Sequence, residues 1–249
     1  MFAATGSFFE RAENSLLDFL RLWIPLPCPL CGKGVPFDGT ANMFCADCMA
    51  RMPLIRGQVC PSCGAELDGI FSSCTDCMNS PKPLWKRAYS IFKYRESVMD
   101  CVHQLKYKGG TELARPLGRL AAGLFDQDSP HYDFIVPIPL HWTRYLSRGY
   151  NQSELFARQV SLHTGIPLKR ALKRIRPTKQ QAFLSKSERK SNIKGAFSVF
   201  DSTVAEKRTI LLTDDVMTTG STLREAAGVL LKAGADRVDI LVIARRQRN

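Results

Sequence analysis

The sequence lacks an apolar run long enough to cross a membrane. The best candidate, residues 16–26, is interrupted by Asp18, Arg21 and Pro25 and falls short of the ~18–20 residues that a spanning helix needs. The first basic residue is Arg11, so the positively charged segment that opens a secretory signal is missing. These two absences predict a cytoplasmic protein with no transmembrane segment.

Histidine is scarce, and cysteine is nearly absent from the second part of the chain. The 4 histidines are scattered and form no cluster of the kind that catalysis or metal binding uses. The one cysteine after Cys77 is Cys101, which we interpret as a small core residue and not as a nucleophile. On this basis we assign no catalytic residue.

Acidic residues are scarce where basic residues are most frequent. The formal net charge of the chain is +12, yet residues 1–80 carry a net −3 and residues 141–195 hold 13 Lys and Arg against 2 Asp and Glu. Such an asymmetry favours two modules and a polyanionic partner for the second one. The alternative is a solvated basic surface that only keeps the protein soluble.

Eight of the nine cysteines form four Cys-x-x-Cys pairs in the first third of the chain. Such pairs in a cytosolic protein indicate metal sites and not disulfides. The spacing within and between them suits a zinc ribbon, so we predict two closed, structural zinc sites with four cysteine ligands each. The predicted metal ligands are Cys28, Cys31, Cys45, Cys48, Cys60, Cys63, Cys74 and Cys77.

Three questions about this first module stay open at the level of sequence. An iron–sulfur cluster uses the same thiolates. The pairs also admit a crossed arrangement, first with third and second with fourth. Ahead of them, residues 8–22 form an amphipathic helix pattern, for which packing against the body and docking to a membrane or partner are both options.

From residue 81 onward, strand and helix patterns alternate. This order predicts a mostly parallel sheet covered on both faces by helices, with ligands bound at the carboxyl ends of its strands. The predicted strands are 88–94, 134–138, 209–212 and 238–244, and the predicted helices are 96–107, 112–125, 152–163 and 222–233.

One segment of this second module has the pattern of a sugar-phosphate site. The apolar strand 209–212 leads into Asp214 and Asp215, and the small hydroxyl-rich run 218–222 then opens a helix. Successive backbone N–H groups at a helix start bind phosphate, and two acids beside them accept hydrogen bonds from sugar hydroxyls. A plain helix cap does not explain two carboxylates placed where desolvation is costly.

This segment resembles the phosphoribosyl pyrophosphate (PRPP) motif of the type I phosphoribosyltransferases. The resemblance implies that Asp214 and Asp215 meet the ribose hydroxyls, that 218–222 binds the 5-phosphate, and that Mg²⁺ accompanies PRPP. The residues of the motif are Asp214, Asp215, Val216, Met217, Thr218, Thr219, Gly220, Ser221 and Thr222.

The whole chain resembles the ComF/GntX family, in which a double zinc ribbon precedes a phosphoribosyltransferase-like domain. The match implies the ribbons at 25–80 and the larger domain at 81–249 with a hood near 176–195, and the amphipathic pattern predicts an N-terminal helix within 1–24. It is carried by the Cys pairs, the 214–222 motif and the segments 105–109, 136–139 and 195–197. The pyrophosphate-loop and hood residues that it implies are Lys106, Arg144, Arg148, Asn151, Gln152, Gln181 and Arg189.

Members of that family are linked to natural competence, the uptake and processing of transforming DNA. The resemblance therefore implies PRPP as ligand, with single-stranded DNA and competence or DNA-processing proteins as further partners. We predict DNA contacts at Arg174, Arg176 and Lys179, with base stacking on Trp142, Tyr145, Tyr150 and Phe183. The alternative to base stacking is that Trp142 and Phe183 pack in the core. Two alternative functions stay open: an active phosphoribosyltransferase of nucleotide metabolism, and a zinc-ribbon scaffold whose PRPP site is a relic.

Overall fold

The computed structural model describes residues 26–35, 44–67, 69, 71–177, 192–200 and 204–247. The chain divides into two compact units, Met1–Arg51 and Met52–Asn249. The predicted N-terminal helix and most of the predicted hood lie outside the described residues, and the predicted domain boundaries stay predictions. Within the described ranges, every helix is too short or too polar to cross a bilayer.

The smaller unit is built around a short hairpin and one helix. Strands β1 (Leu26–Pro27) and β2 (Gly34–Val35) pair antiparallel, and helix α1 covers Ala46–Arg51. The Cys-x-x-Cys turn between the strands closes with a hydrogen bond from the Gly32 N–H to the Cys28 carbonyl at 2.8 Å. This turn brings two thiols to one side of the hairpin.

The larger unit has a four-stranded parallel sheet in the order β3-β8-β7-β4, which confirms the predicted fold class. Its elements in chain order are α2 (Thr75–Met78), β3 (Ala88–Lys93), α3 (Glu96–Tyr107), a 3₁₀ turn (Thr111–Leu113), α4 (Ala114–Ala122), β4 (Phe134–Pro137), α5 (Trp142–Arg148), α6 (Gln152–Thr164), β5 (Leu172–Arg174), β6 (Phe197–Val199), β7 (Thr209–Met217), α7 (Ser221–Lys232) and β8 (Arg237–Arg245).

Helices cover the sheet because its central strands are apolar on both faces. In β7, Ile210 and Leu212 join a core with the apolar side of α7 and with the β5–β6 hairpin. Helices α4 and α6 pack on one another and on the sheet, and they approach so closely that a Cβ at Gly118 would lie 2.3 Å from the Gln159 Cβ. Strand pairing and these two layers fix the carboxyl end of β7 in place.

Strand β7 is longer than its apolar pattern predicts. It continues through Asp214 and Asp215 to Met217 because β8 pairs with it up to the register Met217↔Arg245. On its other side, pairing with β4 ends at Pro137↔Thr213. The two acids therefore lie on a strand segment that has a paired neighbour on one side only, and they face an open space at the end of the sheet.

Helix α5 and the β5–β6 hairpin were not among the predicted elements. Helix α5 begins after His141, whose ring accepts a hydrogen bond from the Thr143 N–H, and it ends at Gly149. The hairpin joins two three-residue strands that lie far apart in sequence. Neither element carries an apolar period long enough to be seen in the sequence.

Candidate functional site

The eight paired cysteines form two separate groups of four. Within each group the four sulfur atoms lie within 4.8 Å of one another. The first group uses the first two Cys-x-x-Cys pairs and the second group the last two, so the crossed arrangement is wrong. Four thiolates that converge in this way are the donor set of a closed, tetrahedral structural zinc site, which confirms two zinc-ribbon sites with four cysteines each.

A polar cavity of about 340 Å³ opens at the carboxyl ends of β4 and β7. One wall carries the acid pair and the start of α7, and another carries basic side chains from α3, α5 and β5. The charged and hydroxyl residues that line it are Tyr94, Lys106, Tyr107, Arg144, Arg148, Ser153, Arg174, Asp214, Asp215, Thr218, Thr222 and Arg246.

The acid pair is held by side chains from α3 and α6. Gln152 Nε2 donates to Asp215 Oδ2 at 2.9 Å, and Lys106 Nζ forms an ion pair with the same oxygen at 2.8 Å. Ser153 Oγ donates to Asp214 Oδ1 at 2.8 Å. Both carboxylates are therefore oriented by fixed donors, as a binding site requires.

The start of α6 is itself held in place by Asn151. Its Oδ1 accepts from the Ser153 N–H at 3.1 Å, which caps the helix. Its Nδ2 donates to the Ile138 carbonyl at 3.0 Å, which ties the cap to the end of β4. Asn151 thus places Gln152 and Ser153 against the acid pair from a position behind the cavity wall.

Burial and mutual repulsion shift the charges in the cavity. Burial, and then the charge of Asp215, raise the pKa of Asp214 to about 7. Burial lowers the pKa of Lys106, but the carboxylates of Asp215 and Asp214 outweigh it, so this pKa lies above its ordinary value. Burial and the neighbouring Arg144 charge lower the pKa of Arg174 to about 10. Near neutral pH the Asp214 carboxyl is therefore partly protonated, and the cations of Lys106 and Arg174 line the same cavity.

The phosphate loop, residues 218–222, leads from β7 into α7. Gly220 has φ +71°, a backbone conformation that favours glycine, and a Cβ there would make a tight contact of 3.3 Å with the Trp85 ring. Thr219 Oγ1 and Ser221 Oγ are hydrogen-bonded at 2.8 Å. The loop therefore presents hydroxyls and the first N–H groups of a helix at one place, an arrangement suited to an anion.

The basic wall is organised by α5. The Arg148 guanidinium stacks over the Tyr107 ring at 4.8 Å from the centroid, and it donates to the Gln152 side chain. Burial lowers the pKa of Arg144, whose side chain lines the same cavity. The cavity is thereby lined by two planar guanidiniums, the type of group that makes bidentate contacts with phosphate.

The remaining predicted residues are divided between the cavity, the core, the surface and the part of the chain outside the described residues. Val216 lines the cavity and Met217 is buried in the core. Arg174, predicted as a DNA contact, lines the cavity, whereas Arg176 is exposed. Lys179, Gln181, Phe183 and Arg189 lie outside the described residues.

Sequence reasoning missed part of the lining. Ser153, Tyr94, Met99, Leu140 and Arg246 belong to the cavity, yet they were not predicted. Ser153 directly follows the predicted Gln152 in α6, and this adjacency was the one available signal. The other four reach the cavity from the ends of separate elements, which only the folded chain shows.

Comparison with known proteins places the chain in a class and then in a family. Residues 19–78 match the double zinc ribbon domain, and residues 104–249 match the phosphoribosyl transferase domain, so this is a zinc-ribbon protein with a phosphoribosyltransferase-like fold. Within that class the chain belongs to the ComF/GntX family. It is 32% identical to competence protein F of Haemophilus influenzae over 211 residues, which cover 82% of this chain and 91% of that relative.

Two further likenesses complete the comparison. The chain is 35% identical to the DNA utilization protein YhgH of Escherichia coli K12 over 233 residues, 90% of this chain and 99% of the relative. Among solved structures, the glutamine PRPP amidotransferase of B. subtilis aligns with a TM-score of 0.40 and 19% identity over 57% of this chain. The aligned region spans 30% of the length of that enzyme.

Proposed function

We propose that this protein binds PRPP together with Mg²⁺ in the cavity at the end of β7, and that it acts in DNA uptake and natural transformation. The observation that carries the first part is the meeting of three groups in one space. The Asp214–Asp215 pair, Thr218 and Thr222 at the two ends of the phosphate loop, and the basic residues of α3, α5 and β5 all line the same 340 Å³ cavity.

Each group suits one part of PRPP. The acid pair accepts hydrogen bonds from the two ribose hydroxyls, and the phosphate loop receives the 5-phosphate at the start of α7. Arg144 and Arg148 face the pyrophosphate, whose charge Mg²⁺ partly neutralises. Lys106 connects the acid pair with the basic wall, because its ammonium lines the cavity and forms an ion pair with Asp215.

Calorimetric titration with PRPP tests this proposal. We expect saturable binding with one PRPP per chain in the presence of Mg²⁺, and binding weakened by at least about tenfold when EDTA replaces the metal, because uncompensated pyrophosphate charge is costly to bury. Ribose 5-phosphate and pyrophosphate alone serve as controls, and each should bind more weakly than the complete ligand. Equal affinity for pyrophosphate alone would show that the acid pair and the phosphate loop take no part.

The role in DNA handling is supported by the relatives and by a second surface. Proteins named competence protein F and DNA utilization protein match this chain over most of its length. In this chain the outer side of α5 leaves Trp142, Tyr145 and Leu146 exposed, with Trp142 at 65% exposure, so core packing does not account for Trp142. Aromatic rings among basic residues stack unpaired bases while the cations meet the backbone phosphates.

We expect the Trp142→Ala and Tyr145→Ala variants to bind single-stranded DNA about tenfold more weakly each, because stacking contributes ~1–3 kcal/mol per base. Fluorescence anisotropy with a labelled oligothymidine at low salt measures this, and affinity should fall steeply as salt is raised. Leu162→Ala removes an equally exposed apolar side chain from α6 and is the matched control. If the unaltered chain does not bind DNA at low salt, the proposed direct contact is wrong, and a role in DNA handling would require a protein partner.

A further inference from the structure

The second four-cysteine cluster (Cys60, Cys63, Cys74 and Cys77) lies directly behind the phosphate loop. A separate cavity of about 250 Å³ has Cys63 and Cys77 on one side and Thr219 and Gly220 on the other. Cys60 and Cys63 also belong to the core that contains the apolar residues of β7, β8 and α7. The ribbon and the loop are thus parts of one packed body.

Trp85 joins the first Cys-x-x-Cys turn of this cluster to the loop. Its Nε1 donates to the carbonyl of Ser62, which stands between Cys60 and Cys63, at 2.8 Å. The far edge of the same ring packs on Gly220. Trp85 is 6% exposed, so a movement of the turn displaces a buried ring that rests on the loop.

Arg245 joins the second turn to the same loop. At the end of β8, its Nη1 donates to the carbonyls of Thr218 at 2.7 Å and of Met217 at 3.3 Å. Its Nη2 lies 3.5 Å from Oδ2 of Asp76, which stands between Cys74 and Cys77. Since Arg245 is 6% exposed, its charge depends for compensation on this carboxylate, on these carbonyls and on the Cys63 sulfur, to which it also donates.

We propose that Trp85 and Arg245 are positioning residues through which the second zinc ribbon holds the phosphate loop, so that zinc at this cluster and PRPP at the loop strengthen each other's binding. This inference rests on the proposed function. Trp85 is connected to the first Cys-x-x-Cys turn of the cluster, Arg245 is connected to both turns, and zinc fixes both turns through its ligands. Coupling of this kind is reciprocal, because the effect of each ligand on the affinity for the other must be equal.

The first cluster provides an internal control. Asp47 stands between Cys45 and Cys48, as Asp76 stands between Cys74 and Cys77. Its carboxylate pairs with Lys33 instead, in an ion pair whose two side chains are 66% and 68% exposed. Asp47 therefore matches Asp76 in its position between two cysteines, but among the described residues its ion pair connects only parts of the first ribbon. Its substitution is the control for substitution of Asp76.

The first measurement is Mg–PRPP affinity by calorimetry, with zinc content determined on the same samples. We expect Arg245→Met to bind PRPP about tenfold more weakly, a loss within the range of typical coupling energies. Its zinc content should equal that of the unaltered chain. Asp76→Asn should weaken binding in the same direction, and Asp47→Asn should leave it unchanged. Trp85→Phe removes the donor to Ser62 and also the outer ring edge that approaches Gly220, so a loss in the same direction is expected.

The second measurement is the rate at which a chromogenic chelator removes zinc. Saturating Mg–PRPP should slow the release of zinc from the second cluster, which is half of the total, by about tenfold. The release of the other half, from the first cluster, should be unaffected. Arg245→Met should abolish the protection of the second cluster. If the unaltered chain binds PRPP yet zinc release is unchanged, the inference is wrong and the proposed function stands. If the unaltered chain fails to bind PRPP, the proposed function is wrong, and the inference fails with it.

Discussion

Replacing Asp215 by Asn should weaken Mg–PRPP binding by about one to two powers of ten. A hydrogen bond to a charged group contributes ~1.5–3 kcal/mol, and the substitution also leaves the largely buried Lys106 ammonium without its ion-pair partner. The double variant Lys106→Met with Asp215→Asn separates these two effects, because it removes the uncompensated charge. Calorimetry on the three proteins measures the losses.

Asp214 should make PRPP affinity depend on pH. Because the pKa of this carboxyl is raised to about 7, it is mostly protonated at pH 6 and mostly charged at pH 8. Affinity should therefore rise between these values as the stronger acceptor forms. The Asp214→Asn variant should lack this rise, so its deficit relative to the unaltered chain should be larger at pH 8 than at pH 6.

The same group should affect folding stability with the opposite sign. A carboxyl whose folded pKa is raised stabilises the folded state below its unfolded pKa, and this contribution is lost as pH rises through about 7. Without ligand, Asp214→Asn should thus melt at a higher temperature than the unaltered chain at pH 8 and gain nothing near pH 4. Asp128→Asn, on the exposed segment after α4, is the control.

The affinity measurements also test the assignment of the pocket. If Asp214→Asn and Asp215→Asn both bind PRPP as tightly as the unaltered chain, that assignment is wrong.

The parts of the fold that the sequence predicts well have strong local signals. The strand and helix at 88–107 agree with the structure within one residue, because a β-rich run and a helical apolar period lie next to each other. The spacing of the Cys-x-x-Cys pairs likewise indicates metal binding from the sequence alone. Their grouping needed the structure, because spacing admits more than one partition of four pairs.

Other parts depend on contacts that no local pattern records. The extension of β7 through the acid pair arises from pairing with β8, which lies beyond helix α7 in the chain. The donors on Asp214 and Asp215 come from α3 and α6, and Gln152 is 63 residues away from Asp215 in the chain. The resemblance to known motifs identified the acids, but only the fold shows what neutralises them.

Loss of the second zinc site should affect the protein far more than loss of the first. We expect two zinc atoms per chain by elemental analysis, since two complete sets of four cysteines are present. Cys31→Ser should remove one zinc and unfold only the smaller unit, Met1–Arg51. The main thermal transition, which belongs to the larger unit, should stay where it is.

Cys77→Ser should also remove one zinc, but it should lower the main transition strongly. Cys60 and Cys63 are buried in the same core as β7, β8 and α7, so a ribbon that opens exposes that core. Structural zinc supplies ~10–16 kcal/mol to a small ribbon, which is comparable to the ~5–15 kcal/mol that holds a whole domain folded. Calorimetric melting of the two variants, with a chelator-treated sample beside them, measures the difference. Equal effects of the two substitutions would show that the second ribbon does not hold the core of the larger unit in this way, and iron in place of zinc would contradict the assignment of the metal.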